Sequence, residues 1–158
     1  MSDSSKELVV RKIENGTVID HITPGKGYLV VKILRIGFDA QYYLAQNVPS
    51  PRFGRKDVVK ITDRYPTETE LDIISLIAPM ATINRVREWA VAEKFKVQLP
   101  SLVAGVIHCP NSFCITNYEK GLHTEFKLVE IDSKRKLLQC SHCDSLIELD
   151  EVERYIET

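Results

Sequence analysis

The segments His108-Cys-Pro-Asn-Ser-Phe-Cys-Ile115 and Gln139-Cys-Ser-His-Cys-Asp144 decide how this chain is read. Cys109 and Cys114 form a C-x4-C pair, and Cys140 and Cys143 form a C-x2-C pair; no other cysteine occurs in the 158 residues. Two close pairs, separated by about one hairpin of chain, have the spacing of a four-thiolate zinc site. Each short knuckle aims two sulfurs at one point, and the intervening segment folds back to bring the knuckles together. A closed four-sulfur site is structural. A catalytic zinc would need an open position and fewer protein ligands, with His108 or His142 substituting for a cysteine. In a two-residue gap the side chain beside Cys143 points away from the metal, so His142 is expected to face solvent. A redox role for Cys140 and Cys143 lacks the βαβ context of a thioredoxin-like motif.

The rest of the composition narrows the setting. A formal charge of −1 argues against a binder that relies on neutralising nucleic-acid phosphates. The acidic tail from Glu148 to Glu157 points the same way. Met1 to Lys6 is polar with no apolar core behind it, so no signal peptide is expected. No apolar run approaches membrane-spanning length. A cytoplasmic protein is expected, where thiols stay reduced and metal ligation is favoured over disulfides.

Upstream of the cysteines the pattern is one of strands and two helices. Leu8–Ile13 and Thr17–Ile22 flank Glu14-Asn15-Gly16, a strong turn signal, and read as two strands or one with a bulge at Gly16. Thr23-Pro24 reads as a helix cap, with Leu29, Val30, Ile33 and Leu34 on one face and Gly37 as the stop, so a helix is expected over 24–36. Gln41–Val48 and Asp57–Ile61 read as strands around a loop over 49–54. Thr67-Glu68-Thr69-Glu70 fits a capping box opening a second helix, with Leu71, Ile74 and Ala78 apolar and Pro79 ending it. Ala81–Arg87 and Trp89–Phe95 follow as strands.

That order predicts an α+β fold: a ferredoxin-like antiparallel sheet with both helices on one face. Leu99-Pro100-Ser101 reads as a linker, so residues 1–99 and 100–158 are expected to form two domains. Leu102–His108, Thr124–Ile131, Arg135–Gln139 and Ser145–Leu149 are short strand candidates, making the second domain small and all-β. About sixty residues bury little core on their own. Structural zinc contributes on the order of 10 kcal/mol in such modules, enough to decide whether they fold.

Residue chemistry outside the cysteines is less pointed. Asp20 and His21 are neighbours on a strand and are expected on opposite faces, which rules out an Asp–His pair. Lys56, Lys60 and Lys94 lie on or near strands; their ammonium groups converge on a phosphate if the sheet pairs those strands, and are otherwise solvated surface. No glycine-rich phosphate loop is present. No nucleophile–base constellation stands out. A zinc-ribbon nucleic-acid adaptor and a small zinc enzyme remain as other classes.

Four stretches together are more specific: N-G-T-V-I-D-H-I (residues 15–22), G-R-K-D-V-V-K-I (54–61), A-P-M-A-T-I-N-R-V (78–86) and C-P-N-S-F-C-I (109–115), followed by Cys140 and Cys143. In this order and spacing the chain, from about residue 8 to 149, resembles the regulatory chains of aspartate carbamoyltransferase. The resemblance implies a non-catalytic subunit of pyrimidine biosynthesis, with an N-terminal allosteric nucleotide domain and a C-terminal zinc domain. It implies CTP as inhibitor, ATP as activator and, in some members, UTP. Its partners would be a separate catalytic chain and a second regulatory chain, three regulatory dimers tying two catalytic trimers together. Matched position by position, the nucleotide site would comprise Lys12, Ile13, Val18, Asp20, His21, Val58, Lys60, Asn84, Val86, Trp89, Val91 and Lys94. Lys60 and Asp20 would lie near base and ribose, Lys94 and His21 near the phosphates, with Ile13 and Val86 as apolar walls. Asn111 would lie at the interface with the catalytic chain. Trp89 stands where a tyrosine is familiar, Lys12 where a small residue is, and Phe113 where an asparagine is.

Overall fold

A computed structural model of the chain describes residues 12–157. Most of the strand expected over residues 8–13 lies outside the described residues, and residues 12 and 13 are not in a strand. The first strand, β1 (Gly16–Ile22), starts at a tight turn that only glycine permits. Gly16 has φ +137°, and a Cβ there would stand 2.0 Å from the Ile61 carbonyl oxygen. The turn is tied down on both sides, with Asp63 N–H donating to Asn15 O and Glu88 N–H donating to Asn15 Oδ1.

Helix α1 (Gly27–Ile33) is shorter than the apolar periodicity predicts. Pro24-Gly25 form a turn, with Lys26 N–H donating to Thr23 O and Gly25 at φ +87°. The Thr23 hydroxyl does not cap the helix, and Lys26 at the cap position makes no side-chain cap bond. The cap comes from elsewhere in the chain. Asp57, fully buried on β3 (Gly54–Thr62), accepts from Gly25 N–H at 2.9 Å and Gly27 N–H at 2.8 Å through one oxygen. Its other oxygen accepts from Asn47 N–H at 2.7 Å on β2 (Tyr42–Ser50). The helix ends at Arg35, φ +47°, before Gly37 is reached.

Helix α2 (Glu68–Ile77) forms as its sequence predicts. Glu70 N–H donates to Thr67 Oγ1 at 3.2 Å and Thr67 N–H donates to Glu70 Oε2 at 2.9 Å, a complete capping box. Every residue from Ile73 to Ala78 is buried, more than one helix face supplies. The helix shares one apolar cluster with Ile19, Val59 and Ile83 of the sheet, packs beside α1 and touches the C-terminal 3₁₀ turn (Val152–Tyr155).

With β4 (Thr82–Arg87) and β5 (Ala90–Lys96), the first sheet is antiparallel in the order β2-β3-β1-β4-β5. The first four positions are the ferredoxin-like arrangement, and β5 extends it at one edge. Ile19, Val59, Ile61 and Ile83 point toward the helices and are fully buried. Their neighbours Val18, Val58, Lys60 and Asn84 therefore point to the opposite face.

The second sheet has the order β6-β7-β8-β9: β6 (Leu102–Ala104), β7 (Glu125–Glu130), β8 (Lys136–Cys140) and β9 (Leu146–Glu148). The strand expected over 102–108 stops at Gly105, φ +72°, and Ile107 bridges instead to Ile156. Val103, Phe126, Leu138 and Ile147 are buried on this sheet and share one apolar cluster with Val152, Ile156 and the residues around α2. No helix among the described residues is long and apolar enough to cross a membrane.

Candidate metal centre and helix-free sheet face

The two knuckles meet at one end of the second sheet. The four sulfurs of Cys109, Cys114, Cys140 and Cys143 all lie within 4.8 Å of one another. Cys109 and Cys143 are 3.5 Å apart and Cys114 and Cys140 3.9 Å apart. A disulfide needs about 2.05 Å, so these are thiols. Four sulfurs held tetrahedrally at about 2.3 Å from one ion stand about 3.8 Å apart, and the observed spacing fits that figure.

Backbone amides support three of the four sulfurs. The amides of Asn111 and Ser145 donate to Cys109 and Cys143, and those of His142 and Cys143 donate to Cys140. The second knuckle closes with Cys140 N–H donating to Ser145 O and Asp144 N–H donating to Cys140 O, Asp144 taking φ +63°. The Thr116 hydroxyl donates to Cys114 Sγ at 3.2 Å. Burial pushes the Cys109 and Cys140 thiols up. At Cys143 burial also pushes upward, but the hydroxyl and amide of Ser145 outweigh it and bring the thiol down to about 6. A bound metal cation would supply positive charge to oppose the burial of Cys109 and Cys140.

Neither candidate histidine joins the cluster. His142 is exposed, as its position in the two-residue gap predicts, and His108 faces Glu157, Nδ1 to Oε1 3.2 Å. Among the described residues the four cysteines are the one group of this kind. The set therefore holds a metal with no open protein-side position, a structural arrangement.

The second feature is the face of the first sheet that carries no helix. Strand pairing aligns Lys60 with Val18, Val18 with Asn84, and Asn84 with Lys94. These four side chains form one row across four adjacent strands. Val58 precedes the row on β3, while Val86 and Val91 are paired with each other on β4 and β5. Ile13 and Val86 are buried yet lie outside the main apolar cluster, as walls on the far side of the sheet would. Lys12, Trp89, Val91 and Lys94 are exposed, with Trp89 at φ +68° in the β4–β5 turn.

Lys60 and Lys94 do not stand beside one point. Three strand spacings separate their Cα atoms by about 14 Å, a span that suits an extended ligand better than a single phosphate. Burial pushes the Lys60 ammonium down, partly offset by the Asp20 carboxylate.

Asp20 and His21 overturn the alternation expected of them. Between Ile19 and Ile22, β1 advances three residues while β3 advances two, from Val59 to Asp57. The extra residue is a bulge, with His21 at φ +55°. It returns Ile22 to the core and leaves Asp20 and His21 side by side, Nδ1 to Oδ2 4.0 Å. They still do not form a catalytic pair. Asp20 is held by Lys56 at 2.8 Å and by the His21 amide at 2.6 Å, while the His21 ring meets Thr82 Oγ1 at 3.2 Å and the edge of Phe53. Burial pushes the Asp20 carboxyl up; the Lys56 ammonium and His21 amide outweigh it and hold the group below its ordinary value. Lys56, Thr82 and Phe53 are the contributors to this cluster that sequence reasoning did not single out with it. The signal was partly present for Lys56, which alternation puts on the same face as Lys60.

Asn111 sits on the first knuckle, where its side chain accepts from Phe113 N–H at 3.0 Å. That bond turns Phe113 outward, 85% exposed, beside the exposed Ile115 and Tyr118.

Comparison with known proteins finds an allosteric and a metal-binding module along the chain. Residues 8–98 match the family model for the allosteric domain of the aspartate carbamoyltransferase regulatory chain, and residues 101–153 match the model for its metal binding domain. An aspartate carbamoyltransferase regulatory chain from Archaeoglobus fulgidus is 45% identical over 145 residues, covering 90% of this chain and 95% of the relative. The counterpart from Saccharolobus solfataricus is 45% identical over 160 residues, covering 99% of each. That from Pyrococcus abyssi is 42% identical over 149 residues, covering 92% of this chain and 96% of the relative. With an allosteric module, a four-cysteine metal module and relatives matched along nearly their whole length, the chain belongs to the family of aspartate carbamoyltransferase regulatory chains, which are not the catalytic chains of that enzyme.

Proposed function

We propose that residues 1–99 sense nucleotides and that residues 100–158 pass the signal to a catalytic chain. The observation that carries this reading is the row Lys60–Val18–Asn84–Lys94 on the helix-free face. It offers two cations separated by an apolar and an amide side chain, a pattern suited to a molecule with a polar ring at one end and phosphates at the other. The Asn84 amide nitrogen donates to Val18 O at 3.3 Å, leaving its side-chain oxygen as an acceptor. Lys60 and Asp20 would meet base and ribose, and Lys94 and His21 the phosphates. Lys12, Ile13, Val58, Val86, Trp89 and Val91 would complete the walls. Trp89 offers a broad ring for stacking where a tyrosine would also offer a hydroxyl. CTP and ATP are the proposed effectors, with UTP a third.

The metal is proposed to be zinc, one per chain, held by Cys109, Cys114, Cys140 and Cys143. Zinc favours closed tetrahedral thiolate sites and brings no redox chemistry. Its role is to fix the knuckle that carries Asn111 and the exposed Phe113, through which the chain would dock on the catalytic chain. A second regulatory chain would pair through the nucleotide domain, three such dimers linking two catalytic trimers in the cytoplasm. The nucleotide acts only through different affinities for two states of that assembly, a coupling of about 1–3 kcal/mol in typical systems.

Calorimetric titration of the zinc-loaded chain with CTP and with ATP tests this reading. Saturable binding is expected, weakened about tenfold or more by Lys94→Ala and by Lys60→Ala. No heat at millimolar nucleotide would remove it.

A further inference from the structure

A cavity of about 440 Å³ lies where the two halves of the chain meet, away from the helix-free face and the cysteines. Its walls come from the end of α2 (Leu76 and Ile77), the linker (Leu99) and the C-terminal segment (Leu149 and Val152). Leu76, Ile77 and Val152 are among the buried apolar residues. The volume falls within the ordinary range for small-molecule sites, which favour domain boundaries of this kind. Thr23, Lys26, Ser75, Asp150 and Glu153 are its polar lining residues. Lys26 is already engaged by Glu153 across the boundary. Asp150 is exposed and makes no hydrogen bond or ion pair among the described residues. The cavity is therefore lined by one carboxylate without a partner among the described residues, together with largely apolar side chains.

We propose that this cavity is a ligand site, separate from the helix-free face, for a small apolar amine. The hydrocarbon body would lie against Leu76, Ile77 and Val152, and the ammonium would pair with Asp150. Apolar burial supplies the attraction and the carboxylate selects the charge. Because its walls come from α2 and from the C-terminal turn, an occupant touches both halves at once and stabilises their present packing over other arrangements.

Titration of the full-length, zinc-loaded, methyl-labelled chain with hexylamine, hexan-1-ol and hexanoate tests the site by NMR. Saturable shifts are expected at the Leu76, Ile77 and Val152 methyl groups, with affinity in the order hexylamine, hexanol, hexanoate. Asp150→Lys, an exposed change that leaves the packing intact, is expected to weaken hexylamine binding by up to about fivefold and to place hexanoate ahead of it. Leu149→Trp is expected to fill the space and remove binding of all three. The proposal is overturned by the absence of saturable shifts with every probe. It is equally overturned by equal affinity for hexylamine and hexanoate, or by shifts centred on Phe113 and Tyr118.

Discussion

Asp57→Ala is the sharpest test of how the allosteric domain is held together. The carboxylate is fully buried and accepts three backbone N–H groups at 2.7–2.9 Å, from Gly25, Gly27 and Asn47. It thereby pins the start of α1 and the irregular stretch of β2 to β3, which no local sequence feature does. A hydrogen bond to a charged group contributes about 1.5–3 kcal/mol, and a buried donor left without a partner costs about 1–3 kcal/mol. Three such bonds set an upper figure of about 9 kcal/mol. Desolvation of the carboxylate and water entering the vacated space reduce it. A loss of about 3–5 kcal/mol is expected, out of the 5–15 kcal/mol typical of a whole domain. Asp57→Asn keeps one accepting oxygen and should lose about half as much. Urea unfolding of the zinc-loaded protein, followed by circular dichroism and by Trp89 fluorescence, measures both. A loss below about 1 kcal/mol for Asp57→Ala would show that the three amides find other partners and that the clamp is not what fixes α1.

Three further outcomes are expected. Gly16→Ala should destabilise the sheet by about 3 kcal/mol or more, since its Cβ would meet the Ile61 carbonyl oxygen at 2.0 Å on a backbone with φ +137°; thermal unfolding reports it. Asp20 is held below its ordinary value of 3.8, so its contribution to stability is complete above that pH and lost as pH falls through the depressed folded value. Asp20→Asn should flatten that acid limb in a pH series of denaturation curves; an unchanged slope would mean that Lys56 does not stabilise the carboxylate. Removing the metal with a chelator should unfold the second sheet while leaving the first largely folded, read by amide exchange of Phe126 and Leu138 against Ile19 and Val59. Loss of protection in both sheets together would show that they fold as one unit.

Local patterns were legible and long-range ones were not. The capping box of α2 could be read because Thr67 and Glu70 are three residues apart and satisfy each other. The cap of α1 could not, because Asp57 lies thirty residues beyond the amide of Gly27. The bulge at His21 broke the two-residue period for a reason that appears only when β1 and β3 are paired: the chain inserts one residue to keep both Ile19 and Ile22 inward. The cysteine spacing named the metal centre directly, since knuckle geometry is local. The left-handed Asp144 that closes the second knuckle was hidden, because an aspartate does there what a glycine more often does. The residues proposed for nucleotide binding were picked out by resemblance alone, and the alignment of four of them into a row appeared only with the register of four strands. The cavity between the halves had no signal in the sequence, because its walls come from α2, the linker and the C-terminal segment, the first and last of which lie more than seventy residues apart.

The central claim is that this chain makes a catalytic partner responsive to nucleotide. The most direct measurement mixes the zinc-loaded chain with catalytic trimers of aspartate carbamoyltransferase and follows carbamoyl transfer at subsaturating aspartate, with and without CTP or ATP. The account predicts that CTP and ATP change the rate only when the chain is present, and that Lys94→Ala removes the response while leaving the assembly intact by size exclusion. Equal rates with and without nucleotide, in an assembly confirmed to contain the chain, would contradict it.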